Sequence, residues 1–148
     1  MLIRKKHLRI SNIEQMDLTI RNTISEITRV QEAFSAFTSG LNTDEAIIRK
    51  SCIVIDEVLS NIISHGYEDE EVHKIRVRAE VKGSLLHFHF IDDGIQFNPL
   101  LIDDSSSGNG NPSHAGGLGI KLMKRLVDDI DYERRDHENH LIIGIQLA

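Results

Sequence analysis

Apolar residues recur at Ile20, Ile24, Ile27, Val30, Ala33, Phe34 and Phe37, the three-four spacing of one helix face, so a helix is expected from about Met16 to Phe37. Ser39-Gly40-Leu41-Asn42 breaks it at a glycine, and Asn42 with Glu45 three residues on resembles a capping box for a second helix. That helix is expected to run to about Ser64, with its stripe on Ile47, Ile48, Ser51, Val54, Ile55, Val58, Leu59, Ile62 and Ile63, and to end at Gly66. Leu2-Ile3-Arg4 and Leu8-Arg9-Ile10 give a weaker strand pattern ahead of both.

After the acidic turn Glu68-Asp69-Glu70-Glu71 the period changes to two. Lys74 to Val81 alternates Ile75, Val77, Ala79 and Val81 on one face, and Leu85 to Ile91 forms a second hairpin arm after Lys82-Gly83-Ser84. From Asp92 to Ala115 no periodicity holds, and both prolines, Pro99 and Pro112, fall in this Ser-, Gly-, Asn- and Asp-rich stretch. A long loop of that kind inside a compact domain is usually functional, often a lid. Ile120 to Ile130 is helical again, and Asp131 to Arg134 with His140 to Leu147 reads as a closing hairpin around Asp136-His137-Glu138-Asn139. The order β-α-α-β-β-loop-α-β-β predicts one α+β domain over residues 1–148, with helices on one face of a mainly antiparallel sheet.

Composition narrows the class. With 148 residues, 40% hydrophobic and 27% charged, the chain can bury a core without staples. Its net charge of −6, with Lys and Arg scattered, argues against nucleic acid as a partner. No stretch approaches the roughly 18 apolar residues that span a bilayer, and the N-terminus does not read as a signal peptide, so a cytoplasmic protein is expected. The single cysteine, Cys52, excludes a disulfide within the chain and reads as a small buried hydrophobe.

Three clusters carry candidate chemistry. Glu57 and Asn61 stand four apart on a helix and share a face, with His65 one turn further. They are either the solvated side of an amphipathic helix or a carboxylate and amide placed for a ligand. Asp92-Asp93-Gly94 ends an apolar strand, as a plain turn or as a rigid acceptor for an amino group with space beside it. Gly116-Gly117-Leu118-Gly119 precedes a helix, as a hinge or as a phosphate-receiving start with free N–H groups. The chain contains no P-loop, no complete dinucleotide fingerprint and no eukaryotic-type kinase signature. His87 and His89, alternating with Phe88 and Phe90, read as a polar sheet face rather than a zinc site. His137 and His140 flank a turn, and Ser105-Ser106-Ser107 is loop composition.

Taken in order, the three clusters resemble the motifs of the GHKL ATPases, the gyrase and histidine-kinase superfamily. Glu57-x-x-x-Asn61 followed by Ile62-Ile63-Ser64-His65-Gly66-Tyr67 is similar to its N-box, Asp92-x-Gly94 with Phe97-Asn98-Pro99 to its first glycine box, and Gly117-Leu118-Gly119-Ile120-Lys121-Leu122-Met123 to its second. Within the superfamily the chain most resembles the bacterial anti-sigma-factor serine/threonine kinases, from about Ile24 to the C-terminus. The resemblance implies a two-layer α/β sandwich of the Bergerat type, binding ATP and Mg²⁺. It implies Asn61 as the Mg²⁺ ligand and Glu57 as the base that draws the proton from a serine or threonine hydroxyl. Asp92 would accept from the adenine amino group, Gly94 and Phe97 would border the ring, and Gly117, Leu118 and Gly119 would receive phosphates. Lys121 would either add charge there or be a surface lysine, and residues about 100–116 would form the lid. The implied partners are a sigma factor and a small anti-anti-sigma (STAS-type) protein that is phosphorylated, with a homodimer possible and neither nucleic acid nor membrane engaged. Two positions depart from the pattern: Gln96 stands where a second glycine is frequent, and Ala115-Gly116 where an arginine is frequent. They leave open an alternative, a non-catalytic nucleotide-gated binding module of the same fold.

Overall fold

The computed structural model describes residues 15–102 and 115–147. Strand β1 (Gln15–Arg21) is followed by helices α1 (Glu26–Ser39) and α2 (Glu45–His65) and by strands β2 (Lys74–Lys82) and β3 (Leu85–Asp92). A short 3₁₀ turn (Pro99–Leu101), helix α3 (Ala115–Leu126) and strands β4 (Asp129–Arg135) and β5 (Glu138–Gln146) complete the order. The five strands form one antiparallel sheet in the order β1-β2-β3-β5-β4. This is the expected α+β architecture.

The core lies between the helices and one face of the sheet. Ile75, Val77 and Ala79 of β2, Leu86, Phe88 and Phe90 of β3 and Ile143 and Ile145 of β5 are at most 1% exposed. Intervening residues such as Arg76, Arg78, His87 and His89 are not fully buried. Phe34 of α1 packs on Phe88 with ring centroids 5.4 Å apart, and the α2 stripe Val54, Ile55, Val58 and Leu59 is fully buried with them. Burial of such side chains stabilises by roughly 1.5–3 kcal/mol each, so this seam holds α1 and α2 on the sheet.

The structure corrects several expected boundaries. Residues 16–21 form a strand rather than the start of a helix: Met16 and Ile20 are buried while Asp17 and Thr19 are exposed, a period of two. Ile24 consequently precedes α1 and is 56% exposed. Asp44, not Asn42, caps α2, with extended backbone and a carboxylate accepting from Ala46 N at 3.3 Å. Helix α3 begins at Ala115 and ends at Leu126, so Ile130 belongs to β4. Asp136 and His137 take positive φ of 52° and 66°, the two-residue hairpin turn that starts β5 at Glu138. The strand expected near residues 2–10 and most of the expected lid, residues 103–114, lie outside the described residues, while residues 115 and 116 belong to α3. No helix among the described residues is long and apolar enough to cross a membrane.

Candidate functional site

One end of the sheet and the C-terminal half of α2 enclose a pocket. Val58, Asn61, Ile62 and His65 of α2 line it from one side, and Ile120 of α3 closes part of the wall. Asp92, Ile95, Phe97, Tyr132 and Asn139 line the rest. The pocket forms there because the α2 stripe turns its polar edge, Asn61 and His65, past the end of the buried face.

Asp92 occupies the last core-facing position of β3, directly opposite Asn139 of β5 in the sheet register. Its Oδ1 accepts from Gly94 N and from Asn139 Nδ2, both at 2.9 Å. Oδ2 has no hydrogen-bond partner among the described residues. The residue is only 6% exposed, and burial pushes its carboxyl above the usual carboxylate range, opposed by the two N–H donors. A buried carboxylate with one oxygen fixed and the other unpaired, beside a pocket, suits an incoming N–H donor.

The segment after Asp92 is pinned from both sides. Ile95 N donates to Gly66 O at 2.8 Å, which ties it to the end of α2. A Cβ on Gly94 would run into Gly66 O, so this close approach requires glycine. From the other side Arg134 Nη1 donates to Gly94 O at 2.8 Å and Asn139 Nδ2 to Ile95 O at 2.9 Å. Asn139 Oδ1 accepts from Phe97 N at 3.3 Å and from the Tyr132 hydroxyl. Every hydrogen-bonding group of the Asn139 side chain is therefore engaged in shaping the pocket floor.

Glu57 is half-buried and absent from the pocket lining; it faces helix α3 instead. A Cβ built on Gly119 would collide with the Glu57 carboxylate, lying 2.9 Å from Cδ and nearer still to Oε2. The glycine is what lets α3 sit against this carboxylate. Gly117 and Leu118 fall in the first turn of α3, where backbone N–H groups lack intrahelical acceptors. Lys121 is 9% exposed, which overturns the surface-lysine reading. Lys124 Nζ donates to Ile102 O at 2.9 Å, joining α3 to the end of the pinned segment.

The structure thus gathers Asn61, Asp92 and Phe97 around one pocket, packs Gly94 against Gly66 O behind its lining, and sets Glu57 and Gly119 in contact beside it. Asn139, Tyr132, Arg134 and Ile95 were not anticipated. Asn139 read as a turn residue, and only the β3–β5 register reveals it as the partner of Asp92. The expected groups fit an adenine nucleotide on two counts: the Asp92 oxygen that has no partner among the described residues, and the apolar walls. Asn61 supplies the kind of neutral oxygen that supplements phosphates and water around Mg²⁺.

A family model described as a histidine kinase-like ATPase domain matches residues 20–145. The serine/threonine-protein kinase BtrW of Bordetella bronchiseptica is 27% identical over 89 residues, covering 60% of this chain and 63% of that protein. The serine-protein kinase RsbW of Bacillus licheniformis is 30% identical over 86 residues, 53% of this chain and 52% of that protein. The anti-sigma F factor of Clostridium beijerinckii is 24% identical over 102 residues, covering 68% and 71%. The matched region thus spans somewhat over half the length of BtrW and RsbW. Among solved structures, the RsbU and RsbW domains of Rv1364c from Mycobacterium tuberculosis share the fold, with a TM-score of 0.66, 17% identity, and 90% of this chain and 32% of that one covered. The chain belongs to the histidine kinase-like ATPase domain family.

Proposed function

We propose that this member of the histidine kinase-like ATPase family binds Mg-ATP and transfers its γ-phosphoryl group to a serine or threonine of a small partner protein. By this reading it is an anti-sigma-factor kinase in a partner-switching system. It would hold a sigma factor in one state and phosphorylate an anti-anti-sigma (STAS-type) protein, in the cytoplasm and as a possible homodimer. The observation that carries the ATP part is the buried Asp92, with Oδ1 fixed by Gly94 and Asn139 and Oδ2 unpaired. That oxygen would accept from the adenine amino group, between walls that include Ile62, Phe97 and Ile120.

The remaining roles follow from position. Asn61 would ligate Mg²⁺, which when bound neutralises charge on the phosphates. The first-turn N–H groups of α3, at Gly117, Leu118 and Gly119, would receive phosphate oxygens, with Lys121 adding charge from the same helix. Glu57 would take the proton of the attacking hydroxyl, and its contact with Gly119 sets it where that phosphate-receiving helix begins. The kinase part is tested by incubating the chain with labelled Mg-ATP and a cognate anti-anti-sigma protein. Label on a serine or threonine of the partner is the expected result; binding of both without transfer would overturn it.

A second reading rests on the same contact. Glu57 points at α3 rather than into the pocket, and Gln96 and Ala115 depart from the family pattern. A nucleotide-gated binding module would need no base at Glu57. In that case Glu57→Ala would keep ATP binding, partner binding and regulation intact.

A further inference from the structure

The sheet face turned away from the helices holds a second concavity, and it is basic although the chain carries a net charge of −6. Arg76 and Arg78 of β2, His89 of β3, Arg135 of β4 and Glu138 and His140 of β5 line a groove of about 370 Å³. The register makes them neighbours, Arg78 opposite His89 and Arg135 opposite Glu138. Carboxylates neutralise the cluster only in part. Asp17 is committed to Arg76 by hydrogen bonds of 3.0 and 2.6 Å and reaches Arg78 Nε at 3.8 Å. Arg135 meets Glu133 only at 3.9 Å, and Lys74, also in the lining, has no ion pair among the described residues.

In this groove His89 Nε2 lies 3.0 Å from His140 Nδ1. One ring must donate and the other accept. With His89 donating, His140 carries its proton on Nε2, a tautomer consistent with the Glu138 carboxylate standing on that side. Yet His140 is only 6% exposed, its Nε2 has no hydrogen-bond partner among the described residues, and Glu138 Oε1 stops 3.6 Å away. A buried donor without an acceptor is costly, so this arrangement calls for an oxygen that no described residue supplies within hydrogen-bond distance. Arg78 on β2 and Arg135 on β4 line the groove on either side of the imidazole on β5. Donors from three directions suit a tetrahedral ion better than a planar carboxylate.

We infer that this groove is an oxyanion site for a phosphate or phosphoryl group, held by Arg78 and Arg135 and by His140 Nε2–H once the Glu138 side chain swings aside. Glu138 is then the intramolecular competitor whose departure admits the ligand. His89 reports on occupancy: burial, then His140, Arg78, Arg135 and Arg76, hold its imidazole down at about 4, and an anion among them relieves most of that repulsion. The groove lies on the opposite side of the sheet from Asp92, so it stands or falls independently of the nucleotide reading.

The source of the group, free ion or phosphorylated side chain, is separated by two probes at constant ionic strength: inorganic phosphate and a short phosphoserine peptide. Binding to the full chain is followed by calorimetry and by the ring resonances of His89 and His140. Saturable one-site binding of either probe, with both rings shifting and the His89 midpoint rising, is expected. Arg78→Gln with Arg135→Gln should weaken it roughly tenfold or more, as loss of charge-assisted hydrogen bonds requires. Glu138→Gln should tighten it. Phosphate alone binding identifies a free ion; the peptide alone binding identifies a protein-borne group. Absence of saturable shifts with both probes, or equal shifts in the double arginine variant, would overturn the site. The circular dichroism spectrum of each variant verifies its fold.

Discussion

Asp92 and Asn139 face each other across β3 and β5, with Asn139 Nδ2 2.9 Å from Asp92 Oδ1. The same amide group also holds Ile95 O, and its oxygen holds Phe97 N. Asn139 therefore orients the carboxylate and shapes the segment beside it at once. Asn139→Ala should lower ATP affinity roughly tenfold or more, the worth of a buried hydrogen bond to a charged group. Titration calorimetry with ATP measures this; unchanged affinity would show that Asp92 needs no positioning.

Asp92 itself trades stability for binding. Burial raises its carboxyl, so between the ordinary value and the folded one the native state holds more protons than the unfolded chain. Its linkage term therefore makes stability fall as pH rises through that window and stay low above it. Asp92→Asn removes the buried charge while its side-chain oxygen still accepts from Gly94 and Asn139. The variant should be more stable near pH 7 by roughly 0.5–2 kcal/mol and bind ATP poorly. Urea unfolding paired with ATP titration checks both halves.

Gly119 has no room for a methyl group, because a Cβ there meets the Glu57 carboxylate. Gly119→Ala should gain helix propensity yet displace the start of α3, weakening ATP binding. Glu57→Ala in the same molecule should relieve that loss, since it removes the group being struck. A double-mutant cycle on ATP affinity reads the coupling, and strictly additive effects would show that the contact is incidental.

His73 latches the loop after α2 to the first glycine motif. Its Nε2 lies 2.7 Å from Asp69 Oδ1, its Nδ1 lies 3.0 Å from Asp93 Oδ1, and Tyr67 stacks on the ring at 4.3 Å. The Asp69 hydrogen bond, followed by that of Asp93, raises the imidazole above its ordinary value. The stabilisation is thus fully present below about pH 6.5 and is lost as pH rises through the folded value. Thermal melts of wild type and His73→Gln should differ most on the acid side and converge at alkaline pH.

The central elements were legible in the sequence because their periods were long. The α2 stripe, the β2–β3 hairpin and the Asp92 strand end all follow from burial repeating every 3.6 or 2 residues. Residues 16–21 misled because Ile20 fits both a strand face and the helix period that follows it, and six residues are too few to separate the two. Asn42 and Asp44 both offer capping side chains, and only backbone geometry chooses between them. Glu57, Asn61 and Asp92 were visible as motif residues, but Asn139 and Arg134 act through cross-strand register, which local sequence does not encode. The His89–His140 pair was hidden in the same way: the strands alternate correctly, yet which histidine meets which is decided by β3–β5 pairing.

The proposed nucleotide site depends on Asp92 reading an adenine ring in this pocket. Its most direct test is calorimetric titration of wild type and Asp92→Ala with ATP and GTP, each with and without Mg²⁺. Saturable, Mg²⁺-strengthened binding of ATP over GTP by the wild type, abolished in Asp92→Ala, is the expected result. Equal affinity for the two nucleotides, or undiminished ATP binding by the variant, would contradict it.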